Sequence, residues 1–474
     1  MTMNQSRRHF LNASAGLAAT ATAQGFSAPL AMGLAGMAAL SAQQAQAADT
    51  SGYKAVVCLF MAGGSDMHNW VVPVDITGYA EYTTSRRELA WPSALLQPIT
   101  VTTQGTGRSF AMPTDLAPLQ KLYEAGRAAV VANVGTLQRP VTKADFVAGT
   151  NLPAKLFSHN DQQSTWQSLS PEGARSGWGG RMGDVLMSAN QQPVFTAVSA
   201  SGNAVFLSGS SVTQYQVGLD GPVSTRSLDA GSVQGSSTAG NVLRRTLAAT
   251  GDTLLQAEYT RVVQRGIAAE AMLKTALAAT TVPAIPATAI ALGTGGITTL
   301  DKENLAKQLR MVARMIGAGQ SMGMRRQVFM VSMGGFDTHN NQMRDQPSLM
   351  ARVAHSVDYF MTAVASLGLA NNVTLFTASD FGRTLSSNGD GSDHGWGSHH
   401  FVAGGAVKGR TVYGKFPTTA LNTADDLGSG RLLPSTSVTQ MAGTMASWMG
   451  LSAAEIPYVL PNVGNFAPGG LGFV

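Results

Sequence analysis

The sequence predicts an α/β protein built on a doubly wound, mainly parallel sheet with helices on both faces. Three observations predict it. Short apolar runs stop at glycines, as strands buried on both faces do. Strand-like and helical patterns alternate through the C-terminal half, as parallel crossover units require. Polar segments rich in Asp and His directly follow two of the strand runs, where open α/β sheets place their sites.

Taken in order, Lys54 to Met61 is a continuous apolar run ending at Gly63-Gly64 and reads as a buried strand. Leu116 to Gly126 has helical spacing, and Ala128 to Gly135 is a second buried strand, so the pair forms a β-α-β unit. Ser158 to Ser168 reads as a helix with Ser158 as N-cap, followed by a helix from Met182 to Asn190 and a strand-like run at Val194 to Val198. Ser208 to Gly240 is rich in Ser and Gly and reads as an irregular insertion, either a lid or a disordered segment. Val242 to Ala279 is helical, and Thr280 to Ile297 is a loop. Helix (Asn304–Ala318), strand (Gln327–Ser332), helix (Gln346–Leu367) and strand (Asn372–Ala378) then alternate, and Ser435 to Met449 closes as a helix. The irregular insertion as a whole is placed around residues 208–300.

The N-terminus carries an address. Ser6-Arg7-Arg8-His9-Phe10-Leu11 is a twin-arginine signal, and Ala45-Gln46-Ala47 offers small residues for cleavage before Ala48. Leu17 to Leu40 is long enough to span a bilayer, but it is rich in Ala, Gly, Thr and Ser and runs into a cleavage-like site. Residues 1–47 are therefore read as a removable signal peptide and residues 48–474 as a single domain. This predicts a partner in the twin-arginine export machinery, a periplasmic or secreted destination and no stable membrane span after processing. Because that route exports folded protein, a metal can be loaded in the cytoplasm, away from competing ions.

The formal net charge is +5, and loss of Arg7 and Arg8 leaves +3. That is too small and too dispersed for nucleic acid. The single cysteine, Cys58, lies within an apolar run, so it reads as a buried small hydrophobe and excludes an intramolecular disulfide.

Only 12% of the chain is charged, yet six of the eight histidines cluster with acids or amides in four short segments. Carboxylate with imidazole is a transition-metal ligand set. Candidate ligands of a divalent metal are Asp66, Asp337, His339, Asp380, Asp393, His394 and His399. A two-ion hydrolytic site needs about six to eight such ligands. Adjacent His399 and His400 point to opposite sides of an extended strand, and His399 is favoured. His68 and His159 read as hydrogen-bond donors behind the ligands. Ser158 is the candidate nucleophile, with an N-cap as the alternative. Arg383 could hold an anionic group, or pair with Asp380. No phosphate-binding loop, His-Glu-x-x-His or dinucleotide fingerprint is present in the sequence.

Phe60 to Asp66, Ser158-His159, Gly334 to His339, Ser379 to Thr384, Asp393-His394-Gly395 and Gly404 to Gly409 together resemble an exported bacterial family, domain of unknown function fifteen-oh-one. The likeness runs from about Tyr53 to the C-terminus. That family looks like a branch of the alkaline phosphatase and sulfatase superfamily. The resemblance implies an alkaline-phosphatase-like fold, a metal site holding zinc, manganese or calcium, and a small-molecule or polymeric anionic ester as substrate. Val373 to Asp380 is similar to the superfamily strand that ends in a metal-binding Asp. Phe381 departs from the His that often follows it, and Asp337-x-His339 is shorter than the usual spacing. Cys58 lacks the sulfatase modification context. Two functions follow as expectations: an exported metal-dependent hydrolase of phosphate or sulfate esters, or a non-catalytic exported envelope or surface protein that keeps the fold.

Overall fold

The computed structural model describes residues 47–223, 232–249 and 253–474. The twin-arginine segment lies outside the described residues, as does the middle of the Ser/Gly-rich insertion.

The elements follow in chain order. Strand β1 (Lys54–Met61) leads to β2 (Val72–Pro73), α1 (Ile76–Arg86), β3 (Leu96–Ile99), β4 (Phe110–Pro113), α2 (Ala117–Glu124) and β5 (Ala128–Gly135). Next come α3 (Lys143–Ala148), α4 (His159–Ser168), α5 (Trp178–Leu186), β6 (Ala197–Ser199), β7 (Tyr215–Gln216), α6 (Ser237–Ala248) and α7 (Leu254–Ala278). The hairpin β8 (Ala289–Leu292) and β9 (Gly296–Thr299) precedes α8 (Asn304–Ser321), β10 (Arg326–Met333), α9 (Gln342–Ser366) and β11 (Val373–Ser379). The chain then forms β12 (Arg383–Ser387), β13 (Ser392–His394), β14 (Ser398–Gly404), β15 (Val412–Tyr413), β16 (Thr436–Ser437), α10 (Val438–Trp448) and α11 (Ile456–Val459).

Among the described residues the main sheet has nine strands in the order β15-β5-β14-β11-β1-β10-β6-β7, with β16 also paired to β5. It is mainly parallel. β14 is the exception, running antiparallel to β11 on one side and to β5 on the other. β1 shows why the apolar run is continuous. Ala55, Val57, Leu59 and Met61 enter one hydrophobic core, with residues of α2, α8 and α9. Val56, Cys58 and Phe60 enter another, with residues of α5 and α10. A period-2 strand covered on both faces must be apolar at every position. Cys58 is buried, and burial pushes its thiol pKa up.

Several expectations are refined. β1 and β5 are parallel to one another, but β14 and β11 are inserted between them. The segment joining them holds an unforeseen three-stranded sheet, β2-β4-β3. The strand-like run at 194–198 begins only at Ala197, and the helix expected from Met182 starts at Trp178. Thr280 to Ile297, read as a loop, contains most of the β8–β9 hairpin. No helix among the described residues is long and apolar enough to cross a membrane.

The register sets the position of the site. β1 lies between β10 and β11, and Met61 is level with Met333 on one side and Ser379 on the other. The loops leaving three adjacent parallel strands therefore start together at one edge.

Candidate metal centre

The loop after β1 is folded tightly against the loop after β10. Ala62 donates to Met333 O (2.9 Å), and Phe336 N donates back to Ala62 O (3.2 Å). Gly63 has φ +121°, and a Cβ there would collide with the backbone nitrogen of Asp337. The close approach places Asp337 above the strand ends. Asp380 follows directly from β11, and the β12–β13 hairpin returns His394 opposite Arg383. α4 brings His159 over the same edge.

Four side chains converge here: His159, Asp337, His339 and His394. His159 Nε2 lies 3.5 Å from Asp337 Oδ2. His339 Nε2 lies 3.2 Å and His394 Nε2 3.5 Å from Asp337 Oδ1. His339 Nε2 and His394 Nε2 are 2.8 Å apart. Ligand atoms of His159, Asp337 and His394 all lie within 4.8 Å of one another.

What stands behind each ring fixes its tautomer. His159 Nδ1 faces Asp380 Oδ2 at 2.6 Å. His394 Nδ1 faces the carbonyl of Phe157 at 2.8 Å. His339 Nδ1 faces Asp393 Oδ1 at 3.3 Å. A carboxylate and a carbonyl can only accept, so each Nδ1 carries a proton, and a neutral ring then presents a lone pair at Nε2. Three lone pairs then converge on a carboxylate. Metal–nitrogen bonds of about 2.0–2.1 Å put neighbouring ligand atoms roughly 3.3 Å apart, and His159, Asp337 and His394 are the group close enough to share an ion. Acceptors behind the rings are the usual supports of metal-binding histidine.

Asp380 is fully buried and takes three hydrogen bonds, from His159, from Gln163 Nε2 (2.8 Å) and from Gly63 N (3.0 Å). His394 has its pKa lowered, first by burial, with the charges of Arg383, His159 and His339 adding to it against the Phe157 carbonyl. Burial alone would raise the Asp337 pKa, but the hydrogen bond and charge of Arg383, with His339 and His159, hold it below the usual value. At Asp393 burial is likewise outweighed, by Asn388 and His339.

The structure brings Asp337, His339 and His394 together. Asp380 and Asp393 stand one layer back, each behind a histidine. Asp66 leaves the cluster: it is buried in an ion pair with Arg86 and accepts from Gln342. His399 is buried too, with Nδ1 accepting from Asn133 N (3.2 Å) and its ring stacked on Phe416 (4.3 Å). Burial, with His68 and His400 nearby, drives its pKa well down. Ser158 stands at the N-cap position of α4, and its hydroxyl donates to Asp161 (2.8 Å). Arg383 is buried and donates to the carbonyls of Gly64 (2.8 Å), Ser392 (2.9 Å) and Gly63 (2.8 Å), and to Asp337. These bonds engage its guanidinium within the protein. Sequence reasoning gave His159 a supporting part, and the geometry puts it at the centre. The available signal was His159 and Gln163 one helical turn apart, both reaching Asp380.

Beside the cluster opens a cleft of about 490 Å³, bordered by His339, Asp393 and His394 on one side and by Phe146, Phe157, Leu427 and Arg431 on the other.

Fold and site define a layered α/β protein with a histidine–carboxylate cluster at the carboxyl ends of three adjacent parallel strands. The chain belongs to the family described as protein of unknown function (DUF1501), which matches residues 53–459. No curated protein matches it. Solved structures that overlap it include a zinc complex of the C-terminal periplasmic domain of EcEptC from Escherichia coli, at 10% identity and TM-score 0.31, covering 85% of each chain. The PsFucS1 sulfatase from Pseudoalteromonas sp. overlaps at 9% identity and TM-score 0.33, covering 88% of this chain and 70% of that one. A mutant of the alkaline phosphatase PafA overlaps at 12% identity and TM-score 0.28, covering 70% of this chain and 64% of that one.

Proposed function

We propose that this protein is an exported metal-dependent hydrolase of anionic esters, phosphate or sulfate. His159, Asp337, His339 and His394 would hold one divalent ion. The observation that carries the reading is the convergence of three Nε2 lone pairs on Asp337. The His339 and His394 Nε2 atoms lie 2.8 Å apart, with Arg383 Nη1 3.4 Å from His339 Nε2, a spacing that calls for a proton or a cation between the two rings.

A bound divalent ion would supply Lewis acidity and a water of lowered pKa. The chain's own groups supply the rest. Asp380, Asp393 and the Phe157 carbonyl hold the three rings in the metal-binding tautomer. Arg383 neutralises Asp337. With neutral histidines, a divalent ion would bring the cluster of Asp337, Asp380, Asp393 and Arg383 to neutrality, and Arg431 beside it would favour an anion. Residues 48–474 would form the mature single domain, delivered to the periplasm or beyond through the twin-arginine route.

The test is metal content by elemental analysis of folded protein purified from the periplasm, together with turnover of 4-nitrophenyl phosphate and 4-nitrophenyl sulfate. About one ion per chain, lost in His159→Ala and His394→Ala, supports the centre. Folded protein free of metal after zinc, manganese and calcium have each been supplied refutes it. The non-catalytic envelope reading keeps one observation in its favour, since Ser158 is bonded to Asp161. Bound metal with no turnover of either ester would select that reading.

A further inference from the structure

The cleft beside the cluster has a composition that simple capture of an inorganic anion does not call for. One wall is apolar. Phe146 comes from α3, Phe157 from the loop before α4, and Leu427 from the loop before β16, and all three are partly buried side chains packed on the small core of Leu137, Val141 and Trp396. The cleft, about 490 Å³, falls in the roughly 300–1,000 Å³ range of sites for small organic ligands.

Among the described residues, Arg431 is the one Lys or Arg side chain on the cleft wall. Its Nε donates to His394 O (3.0 Å), and its guanidinium lies 5.4 Å from the centre of the Phe157 ring. The loop carrying it is pinned by Asp426, whose carboxylate accepts from the nitrogens of Asn422, Gly428 and Gly430, each at 2.8 Å. Arg431 has no ion-pair partner among the described residues, so a pre-positioned guanidinium edge borders the metal cluster. Unlike Arg383, it has N–H groups to offer a ligand. Phe157 adds a second link. It has φ +70°, a left-handed backbone rare for an aromatic residue. That conformation accompanies a double task, with the carbonyl on His394 and the ring under Arg431. Strain of this kind persists where the surroundings over-determine it.

We propose that the cleft selects a ring-bearing anionic ester. The anionic group would span the His/Asp centre and Arg431, and the organic ring would lie on Phe146, Phe157 and Leu427. This rests on the reading of the cluster as the centre of an ester hydrolase, and it names the substrate class of that site.

The experiment uses the mature protein supplied with zinc and two non-hydrolysable probes, phenylphosphonate and methylphosphonate, with binding measured by titration calorimetry. Phenylphosphonate is expected to bind at least about tenfold more tightly. Phe146→Ala should weaken phenylphosphonate about fivefold and leave methylphosphonate unchanged, and Leu427→Ala should do the same if the first variant folds poorly. Arg431→Gln should weaken both probes about tenfold. Equal binding of the two probes by zinc-loaded protein, or equal weakening of both by Phe146→Ala, overturns the inference. Metal analysis of the same samples separates the two readings. A ring preference without bound metal keeps the cleft and sinks the metal centre, whereas bound metal without a ring preference does the reverse.

Discussion

Asp380→Asn isolates the role of the buried carboxylate. The substitution is nearly isosteric and leaves the four converging side chains untouched. In the native protein Asp380 accepts three hydrogen bonds, including the 2.6 Å contact that keeps the proton on His159 Nδ1. An amide at this position offers one oxygen and one NH₂ group. Gly63 N, Gln163 Nε2 and His159 Nδ1 all present hydrogen, so at least one must face a donor. If His159 is the loser, its ring shifts tautomer or turns, and Nε2 no longer offers a lone pair to the cluster. Loss of such a support typically costs 10–100-fold in metal affinity, or about 1.4–2.7 kcal/mol. A buried donor left unpaired costs a further ~1–3 kcal/mol in the metal-free protein.

The assay pairs two measurements. A competition titration with a chromophoric chelator gives the zinc affinity, and thermal melts with and without a chelator give the stability of each form. The expected result is weaker zinc binding by at least tenfold, together with a smaller metal-dependent rise in melting temperature. Asp393→Asn is the internal control. Its contact to His339 is longer, 3.3 Å, and its side chain is about half exposed (51%), so its loss should cost less. Unchanged zinc affinity in Asp380→Asn, with only the metal-free protein destabilised, would show that Asp380 is a packing element, and the tautomer argument would fail.

Further outcomes are expected. Asp66→Ala strands the fully buried Arg86 guanidinium, so stability should fall by about 3–5 kcal/mol; in urea unfolding a loss below 1 kcal/mol would contradict the buried pair, and folded variant should still bind metal. His400 is buried with its pKa lowered to about 3 by desolvation, against the opposing hydrogen bond with Thr377. A folded-state value below the unfolded value near 6.5 means that this contribution is complete above about pH 6.5 and is lost as pH falls toward 3. The slope is about 1.4 kcal/mol per pH unit, so His400→Gln should flatten stability against pH between 6.5 and 4, and an unflattened curve would remove His400 from the account. Changing Arg7 and Arg8 together to Lys should leave unprocessed precursor in the cytoplasm on fractionation; normal delivery of mature protein would contradict the export signal.

The sheet was legible because burial on both faces leaves a simple trace. β1 and β5 are apolar at nearly every position, β10 and β11 have apolar centres, all four stop at polar or glycine residues, and each was placed within a residue or two. The pairing of β14 was not legible. His399 and His400 read as lying on an extended strand, but nothing in Ser398-His399-His400 announces that it pairs with β11 and β5 and runs antiparallel to both. His399 is covered by Phe416 and His400 by Trp166, the second a contact between distant parts of the chain. The three-stranded sheet between β1 and β5 was hidden for a similar reason. Its strands are four residues or fewer, too short for periodicity to register.

The site divides along the same line. Residues directly after a strand inherit their place from the sheet, so Asp337, His339 and Asp380 could be assigned to one edge from sequence order alone. What the strand end does not determine is direction. Asp66 and Asp380 both follow a buried strand, both are buried acids, and both looked like ligands. Asp66 meets an arginine from α1, whereas Asp380 meets a histidine from α4. The partner decides the role: a guanidinium consumes the carboxylate's charge in an ion pair, and an imidazole passes that charge on to its far nitrogen. The cluster is therefore selected by which helix crosses each strand end, and α4, whose first residue is His159, turns a row of acidic strand ends into a place where a metal ion can sit.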